Sequence, residues 1–315
     1  MMFGLRDSSS VGKLASSLAV AALLFAGVFA TAAGQQIPDP TFKASVERPA
    51  FRTKHPKVLF DEAHNNYHTA GGRYKAFADL ITGDGYAVVP NKEKFSRQSL
   101  TGYNILIISN ALGSADLSTP AANDPAFTEE ECDAVRDWVR AGGSLLLIAD
   151  HFPVGGANAN LARRFGVELS NAFTDDPANY DKELQNILFS RENKLLADHP
   201  ITRGRDARER INRIVTFTGQ SLKGPSAAFS FLRLADTAVD RLPPDGEKRV
   251  PAAGRSQGLA LKMGKGRVVV MGEAAMLTAQ LAGPEKAKFG GLNVSGIDNR
   301  QLALNIMHWL SKVLN

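Results

Sequence analysis

The sequence predicts an α/β protein with a doubly wound, mostly parallel sheet. Short apolar runs, "KVLF", "YAVVP", "YNILIIS" and "SLLLIA", are interrupted by helix-like stretches such as "RYKAFADLITGDG" and "TEEECDAVRDWVRAGG". Continuous apolar strands that alternate with amphipathic helices are typical of a parallel sheet buried on both faces. Gly264-Lys265-Gly266 joins two further apolar runs and predicts an antiparallel hairpin near the C-terminus.

The helix over "TEEECDAVRDWVRAGG" has clear start and stop signals. Thr128 and Glu131 are spaced as a capping box, and Gly142-Gly143 ends the helix. Cys132 falls on the same face as the apolar residue Val135, so we expect a small buried hydrophobic residue and not a nucleophile. As the only cysteine, it also excludes an intramolecular disulfide.

The last predicted element is the helix "DNRQLALNIMHWLSKVL", whose apolar residues recur at helical spacing. Asp298 and Gln301 are expected to cap its N-terminus as a pair. His308 lies inside this helix, and we expect it to be a packed histidine and not a ligand.

Residues 1–34 are predicted to be a signal peptide. Arg6 and Lys13 precede an apolar run from Leu18 to Phe29, and small residues follow that run. The run is shorter than the ~20 residues of a membrane-spanning helix. We therefore expect cleavage, no membrane span in the mature chain, and a periplasmic or secreted location. A retained anchor is the alternative.

The remaining chain divides into two segments. Residues 35–56 are Pro-rich and unpatterned, which predicts a linker or an arm lying on the domain. Residues 57–315 predict a single α/β domain with an irregular insertion at about 170–250. A domain of that length buries a substantial core.

The charge distribution does not indicate a nucleic-acid partner. The formal net charge is only +5, and the densest basic stretch, Arg203 to Arg213, alternates with acids. Such alternation is typical of a solvated face. The tetrapeptide Asp61-Glu62-Ala63-His64 matches a helicase motif by letters, but the phosphate-binding string G-x-x-x-x-G-K-[ST] that such a motor needs is absent from the sequence.

Polar side chains follow the apolar strands at the points where each strand is predicted to end. In a doubly wound sheet, ligands bind beyond the carboxyl ends of the strands. Because parallel strands bring these ends to one edge, we expect a functional crevice there, with ordinary loop polarity as the alternative. The residues concerned are Asp61, Glu62, His64, His68, Ser109, Asn110, Asp150, His151 and Glu273.

Carboxylates beside imidazoles indicate acid–base chemistry, with one group protonated and another not. A divalent cation held by three such ligands, with a position open for water, is an alternative. However, the spacing of His64 and His68 matches no recognised zinc pattern, and no cofactor is certain. The predicted catalytic residues are Asp61, Glu62, His64, His151 and Glu273; the predicted ligand-binding residues are His68, Asn110, Asp150, Gly155 and Gly156.

Two glycine-containing stretches require separate interpretations. Gly155-Gly156 follow a strand and open a short helix, where backbone N–H groups are able to hold an oxyanion or a carboxylate; a plain strand-to-helix turn is the alternative. Gly254 to Gly258 match G-x-S-x-G by letters, around Ser256. That motif requires a strand, a sharp turn and a helix, whereas a Pro- and Ala-rich loop precedes it here and a strand follows. We expect Ser256 to have no catalytic role.

Three blocks resemble a known superfamily: "VLFDEAH", "FTEEECDAVRDWVRAGGSLLLIADH" and "GKGRVVVMGEAAMLTAQ…DNRQLALNIMHWL". They are similar to class I glutamine amidotransferase-like proteins, and especially to DUF4350-type members, which are related to domains of gliding-motility and ABC-transport accessory proteins. The resemblance covers most of residues 57 to 314 and implies a flavodoxin-like α/β fold.

The resemblance does not extend to the amidotransferase nucleophile. Members that hydrolyse glutamine carry a cysteine on a tight elbow after a central strand, whereas Asp150 and His151 occupy that place here and Cys132 lies in the preceding helix. We therefore expect no thiol-dependent glutaminase.

Two functions follow as expectations. The first is an exported hydrolase-like enzyme that acts on a small polar substrate, a carbohydrate or an amide, by carboxylate and histidine acid–base or metal-assisted chemistry. The second is a non-catalytic binding domain of the cell envelope that recognises a sugar or a partner protein.

Overall fold

The computed structural model describes residues 36–315. The predicted signal peptide, residues 1–34, lies outside the described residues. Across residues 36–315, no helix combines the length and the apolar character that crossing a membrane requires.

The described part of the chain contains five α-helices and seventeen β-strands. The helices are α1 (Lys75–Gly83), α2 (Glu129–Ala141), α3 (Val154–Arg163), α4 (Pro200–Arg203) and α5 (Asn299–Leu310). The strands are β1 (Ile37–Pro38), β2 (Lys57–Asp61), β3 (Ala87–Asn91), β4 (Ile105–Ser109), β5 (Ser144–Ile148), β6 (Glu168–Leu169), β7 (Phe173–Asp175), β8 (Leu188–Ser190), β9 (Arg213–Val215), β10 (Leu222–Lys223), β11 (Phe229–Arg233), β12 (Val239–Arg241), β13 (Arg249–Pro251), β14 (Ser256–Met263), β15 (Gly266–Met271), β16 (Gln280–Ala282) and β17 (Ala287–Phe289).

A nine-stranded mixed sheet forms the centre of the fold. Its order is β3-β2-β4-β5-β15-β14-β10-β6, and β11 also pairs with β14. The neighbours from β3 to β15 are parallel, whereas β14 and β15 form the antiparallel hairpin across Gly264-Lys265. The predicted α/β class, with a mostly parallel sheet and a late hairpin, is confirmed.

The central strands are buried on both faces because successive side chains point to opposite sides. Phe60 and Ile107 pack in one apolar cluster with residues of α1 and α5. Leu59 and Leu106 pack in the other cluster with residues of α2 and α3, among them Cys132, which is fully buried as predicted. Full burial of each such side chain contributes about 1.5–3 kcal/mol relative to exposure.

The two helix caps that the sequence predicts have different outcomes. In α2 the capping box is present: Thr128 Oγ1 accepts from the Glu131 N–H at 3.2 Å, and Glu131 Oε2 accepts from the Thr128 N–H at 3.0 Å. The cap pair of α5 is wrong, because the Asp298 carboxylate accepts from the N–H groups of Asn212 and Arg213 instead. The N–H groups at the start of β9 therefore compete with the N-terminus of α5 for the Asp298 carboxylate.

Residues 36–56 lie on the domain as an arm. Strand β1 pairs with β16, and the Ala50 N–H donates to Asp84 Oδ1 at 2.8 Å. The same carboxylate bonds through Oδ2 to His308 Nε2 at 2.7 Å. His308 is fully buried, as expected of a packed histidine.

The stretch from about 170 to 250 consists of short strands and the one-turn helix α4, joined by turns and loops. Two of them, β10 and β11, pair with β14 in the central sheet, while β7 with β12 and β13, and β8 with β9, form two small sheets. Ser256 begins β14, and its buried hydroxyl donates to the Leu232 carbonyl at 2.7 Å. It does not lie at a strand-to-helix turn, in keeping with the interpretation of its motif.

Candidate functional site

The parallel strands end along one edge of the sheet, and a cleft opens there. Its volume is about 390 Å³. Polar groups from three strand ends reach it: His68 from the loop after β2, Asn110 after β4, and Asp150 with His151 after β5. Its aromatic wall consists of Tyr67, Phe152, Phe217 and Phe289.

The backbone of Asp150 is fixed from both sides. Its N–H donates to Asn110 Oδ1 at 3.1 Å, and its carbonyl oxygen accepts from Gln220 Nε2 at 2.8 Å. Asn110 itself has a positive φ of 48°, a conformation that asparagine tolerates better than most residues. These contacts position the Asp150–His151 peptide at the cleft.

His151 presents a basic nitrogen in the cleft. Its Nδ1 lies 2.8 Å from the Phe152 carbonyl oxygen, and since a carbonyl only accepts, Nδ1 must carry the proton. In the neutral ring, Nε2 therefore holds a lone pair. Nε2 lies 3.9 Å from Asp150 Oδ1, and the side chains are 29% and 15% exposed. This distance is beyond a hydrogen bond.

His68 has a different electrostatic state although it also lines the cleft. It is almost completely buried, its ring stacks on Tyr74 at 4.6 Å, and Nδ1 lies 3.2 Å from Ser109 Oγ. Burial, followed by the charge of Arg73, lowers the pKa of His68 to about 3. The ring is therefore neutral near pH 7 and suits hydrogen bonding more than charge pairing.

Glu273 is fully buried next to the cleft but does not line it. Its two carboxyl oxygens accept from the N–H groups of Ala275 and Met276, each at 2.7 Å. Burial, followed by the charge of Asp150, raises the pKa of Glu273 to about 8 in spite of its backbone donors. The carboxyl group holds the turn that places Ala275 in the cleft wall.

His64 is enclosed between two carboxylates. Nδ1 lies 2.9 Å from both oxygens of Asp61, and Nε2 lies 2.9 Å from Glu131 Oε1. Phe95 and Phe127 cover the ring, each with a centroid distance of 4.7 Å. Burial lowers the pKa of His64, but the hydrogen bonds to Asp61 and Glu131 outweigh it, so that the pKa is raised overall. Both ring nitrogens are thus occupied.

The two acidic side chains at the end of β2, Asp61 and Glu62, also have several partners within the protein. Asp61 accepts further hydrogen bonds from Asn66 and Asn91. Glu62 accepts from the Ala70 N–H at 2.9 Å and forms an ion pair with Lys92. These contacts fold the loop after β2 onto the end of β3.

The expectation of one shared site therefore needs correction. All five predicted catalytic residues lie at or after the carboxyl ends of parallel strands at one edge of the sheet, but only His151 lines the cleft. The other four side chains form hydrogen bonds within the protein and do not face the cleft, because a buried polar or charged group requires partners. The residues that do not line the cleft are Asp61, Glu62, His64 and Glu273.

The two glycines of α3 serve packing. The Gly156 N–H donates to Asn171 Oδ1 at 2.8 Å, so this N–H is not open to a ligand, which favours the plain strand-to-helix turn over the ligand-binding role. A Cβ on Gly155 would lie 2.6 Å from Gln220 Oε1, and one on Gly156 would lie 2.1 Å from Asn123 Oδ1. A larger residue at Gly155 would displace Gln220, which holds the Asp150 carbonyl group, whereas one at Gly156 would displace Asn123.

Within residues 36–315, no group of three or more His, Cys, Asp or Glu side chains is arranged to hold a metal ion. The divalent cation of the sequence analysis stays an untested alternative.

Several cleft residues had no sequence signal. Phe217, Gln280 and Phe289 lie outside the parallel strands and reach the cleft only through the tertiary fold. Gln220 does not line the cleft, and nothing in the sequence indicated its contact with the Asp150 carbonyl group. Tyr67 lies in the loop after β2. Its position next to His68 in the sequence was the only indication that it would line the cleft.

Comparison with known proteins gives similarity at the level of fold. No family model matches this sequence, and no curated protein matches it. The mmIFT52 N-terminal domain matches with a TM-score of 0.58 at 14% identity, over 81% of this chain and 97% of that chain. At this identity the likeness shows the fold alone.

Two further solved structures are more distant. A ThuA-like protein from Bacteroides uniformis ATCC 8492 matches with a TM-score of 0.42 and 14% identity, over 83% of this chain and 94% of that one. A GMP synthase subunit from Thermoplasma acidophilum matches with a TM-score of 0.41 and 13% identity, over 83% of this chain and 97% of that one. At such scores these two likenesses carry no argument about the superfamily or the function of this chain.

Replacing Asp150 by Asn should lower the pKa of Glu273, because the charge of Asp150 is one cause of its raised value of about 8. Since the folded-state pKa exceeds the unfolded one, near 4.5, the folded protein should lose stability as pH rises from about 4.5 to 8. Carbon-13 NMR titration of the Glu273 carboxyl group tests the shift. Asp245→Asn is the control, because Asp245 is exposed. Equal pKa values of Glu273 in the two variants would contradict the role of the Asp150 charge.

Replacing His64 by Gln should lower the free energy of unfolding by about 3–5 kcal/mol, because two buried carboxylates lose their shared cation. The raised pKa of His64 makes its contribution complete below about 6.5 and lost at higher pH. The pKa of Glu131 is lowered against burial by its hydrogen bonds, so its contribution is lost as pH falls below about 4.5. The effect should therefore be largest between these values.

Urea unfolding at pH 5.5 and pH 9 measures this effect. His55→Gln is the matched control, since His55 is exposed and bonds only to the Gly85 carbonyl; it should change stability by less than about 0.5 kcal/mol. Equal losses in both variants would show that the buried bridge has no special role.

Proposed function

We propose that this chain is a hydrolase-like enzyme acting on a small polar substrate, a carbohydrate or an amide, with His151 as the general base. One observation supports this most: the hydrogen bond from Nδ1 to the Phe152 carbonyl leaves the Nε2 lone pair in the cleft. A positioned base of this kind contributes about 10²–10⁴-fold to a reaction rate.

In the proposed reaction, His151 Nε2 takes a proton from water while the water oxygen bonds to the electrophilic carbon of the substrate. The bond to the leaving group then breaks, and the imidazolium returns the proton to that group. Asp150 Oδ1, at 3.9 Å from Nε2, favours the transient positive charge. No cysteine takes part, because Cys132 is buried in α2.

Substrate recognition is assigned to the remaining cleft groups. Neutral His68 and the Asn110 amide offer hydrogen bonds without charge, as hydroxyl or amide groups of a substrate require. The aromatic side chains Tyr67, Phe217 and Phe289 provide flat apolar surface and reduce the access of bulk water.

The cellular context is part of the proposal. The signal-like N-terminus supports export to the periplasm or beyond. The sequence blocks described above support membership of the DUF4350-type group within the glutamine amidotransferase-like superfamily.

A non-catalytic binding domain of the cell envelope is the second candidate. It is favoured by the absence of Asp61, Glu62, His64 and Glu273 from the lining of a cleft that includes four aromatic side chains. Such a cleft would bind a sugar or a partner segment without turnover.

Replacing His151 by Gln should reduce turnover at least about 100-fold, as expected for loss of a general base. Chromogenic aryl glycosides and anilides are the substrates to be screened first. His55→Gln is the matched control, because His55 also donates from Nδ1 to a backbone carbonyl, that of Gly85 at 2.7 Å, but lies outside the cleft. Full turnover by folded His151→Gln would contradict the proposed base. Ligand binding without turnover by the unmodified chain would favour the binding domain.

A further inference from the structure

A second cavity lies between the arm and the domain. Its volume is about 280 Å³, and four arginines line it. Arg48 belongs to the arm, Arg205 and Arg208 to the segment after α4, and Arg300 to the first turn of α5. The residues lining this cavity are all different from those lining the cleft. The proposed hydrolytic function does not use this cavity.

Two of the guanidinium groups have close acidic partners. Arg48 donates to the two carboxylate oxygens of Asp206 at 3.2 and 2.7 Å. Arg205 donates from Nε to Glu209 at 2.8 and 3.0 Å, and from Nη2 to the Arg48 carbonyl oxygen at 2.6 Å. These contacts hold the arm on the domain and balance two positive charges.

The other two guanidinium groups are balanced less well. Arg300 donates to the carbonyl oxygens of Lys43 and Ser45, both at 2.7 Å, which carry no net charge. Burial lowers the pKa of Arg300, as expected for a cation whose desolvation no carboxylate offsets. Arg208 approaches Asp206 only at 3.5 Å, and its side chain is 72% exposed. Four arginines therefore face three acids, which are Glu47, Asp206 and Glu209.

We propose that this cavity binds a small phosphate-bearing anion, either free phosphate or a phosphate ester. The planar guanidinium group donates paired hydrogen bonds whose geometry matches phosphate oxygens. Arg208 makes only one long contact, so its donors are available to an incoming anion. A cavity of about 280 Å³ is at the small end of ligand sites, which suits a compact anion and excludes a polynucleotide chain.

Because the cavity lies between the arm and the domain, a bound anion would also hold the arm on the domain. Arg48 lies on the arm, whereas Arg208 and Arg300 lie on the domain. An anion that contacts both sides would bridge them, and a ligand that binds only the folded, docked state stabilises that state. The alternating stretch from Arg203 to Arg213, which the sequence indicated as a solvated face, thus contributes Arg205 and Arg208 to the lining of the proposed anion site.

Titration with inorganic phosphate at constant ionic strength, balanced with sodium chloride, tests the proposal. Arginine side-chain N–H resonances in nitrogen-15 NMR are the readout, and we expect saturable shifts for Arg208 and Arg300. Arg208→Gln should weaken phosphate binding about tenfold, the effect of one charge-assisted hydrogen bond. Arg97→Gln, which removes an exposed arginine elsewhere, should leave the affinity unchanged.

A parallel titration with glucose 6-phosphate distinguishes the two sources of the phosphate group. Tighter binding than that of inorganic phosphate supports an ester, and weaker binding supports the free anion. Shifts that do not saturate at constant ionic strength would overturn the proposal. Equal affinity of the Arg208→Gln and Arg97→Gln proteins would overturn it as well. Both outcomes are independent of hydrolysis at the cleft, so this test and the test of His151 fail separately.

Discussion

The parallel register of four central strands is the constraint on which the candidate site depends. Ile105 pairs with both Val58 and Ser144, and Ser144 also pairs with Arg267. The strands β2, β4, β5 and β15 therefore run in step, and their carboxyl ends open on one edge. Because parallel strands require crossover connections, the helices that cover the two faces cannot close that edge. The cleft forms there among the loops, the start of α3 and the strands β16 and β17.

Burial then determines what each polar group at this edge is able to do. His64 lies between Asp61 and Glu131, and its two nitrogens are occupied. His68 is buried beside Ser109 without a carboxylate partner, so it stays neutral. His151 keeps partial exposure and one unused nitrogen. Three histidines close in sequence or space thus have different partners and different burial, and these differences determine what each ring is able to do.

The fold was predictable from the sequence to a large extent, because it depends on local patterns. The apolar runs and the capping box of Thr128 and Glu131 identify strands and helices without tertiary information. Placement of polar groups at the strand ends also followed from the topology. However, the second role of Glu131 was hidden: the same side chain that caps α2 accepts from Phe95 and bonds to His64.

Contacts between distant segments account for what the sequence did not reveal. Asp298 has the spacing of a cap residue, but β9 supplies competing N–H groups. Gln220, far from β5 in sequence, fixes the carbonyl group of Asp150. The arginine-lined cavity likewise combines arm, loop and helix, and charge alternation within Arg203 to Arg213 does not show which charges find partners.

The histidines at this edge of the sheet differ in their partners: His64 bridges two buried carboxylates, His68 is neutral in the cleft wall, and His151 has an accessible Nε2. Nitrogen-15 NMR of histidine-labelled protein tests this assignment, because ring shifts report the protonation of each nitrogen. At pH 6 we expect both nitrogens of His64 to be protonated and His68 to be neutral. We also expect the neutral form of His151 to carry its proton on Nδ1. A neutral His64 at pH 6, or a His151 proton on Nε2 in the neutral ring, would contradict this assignment.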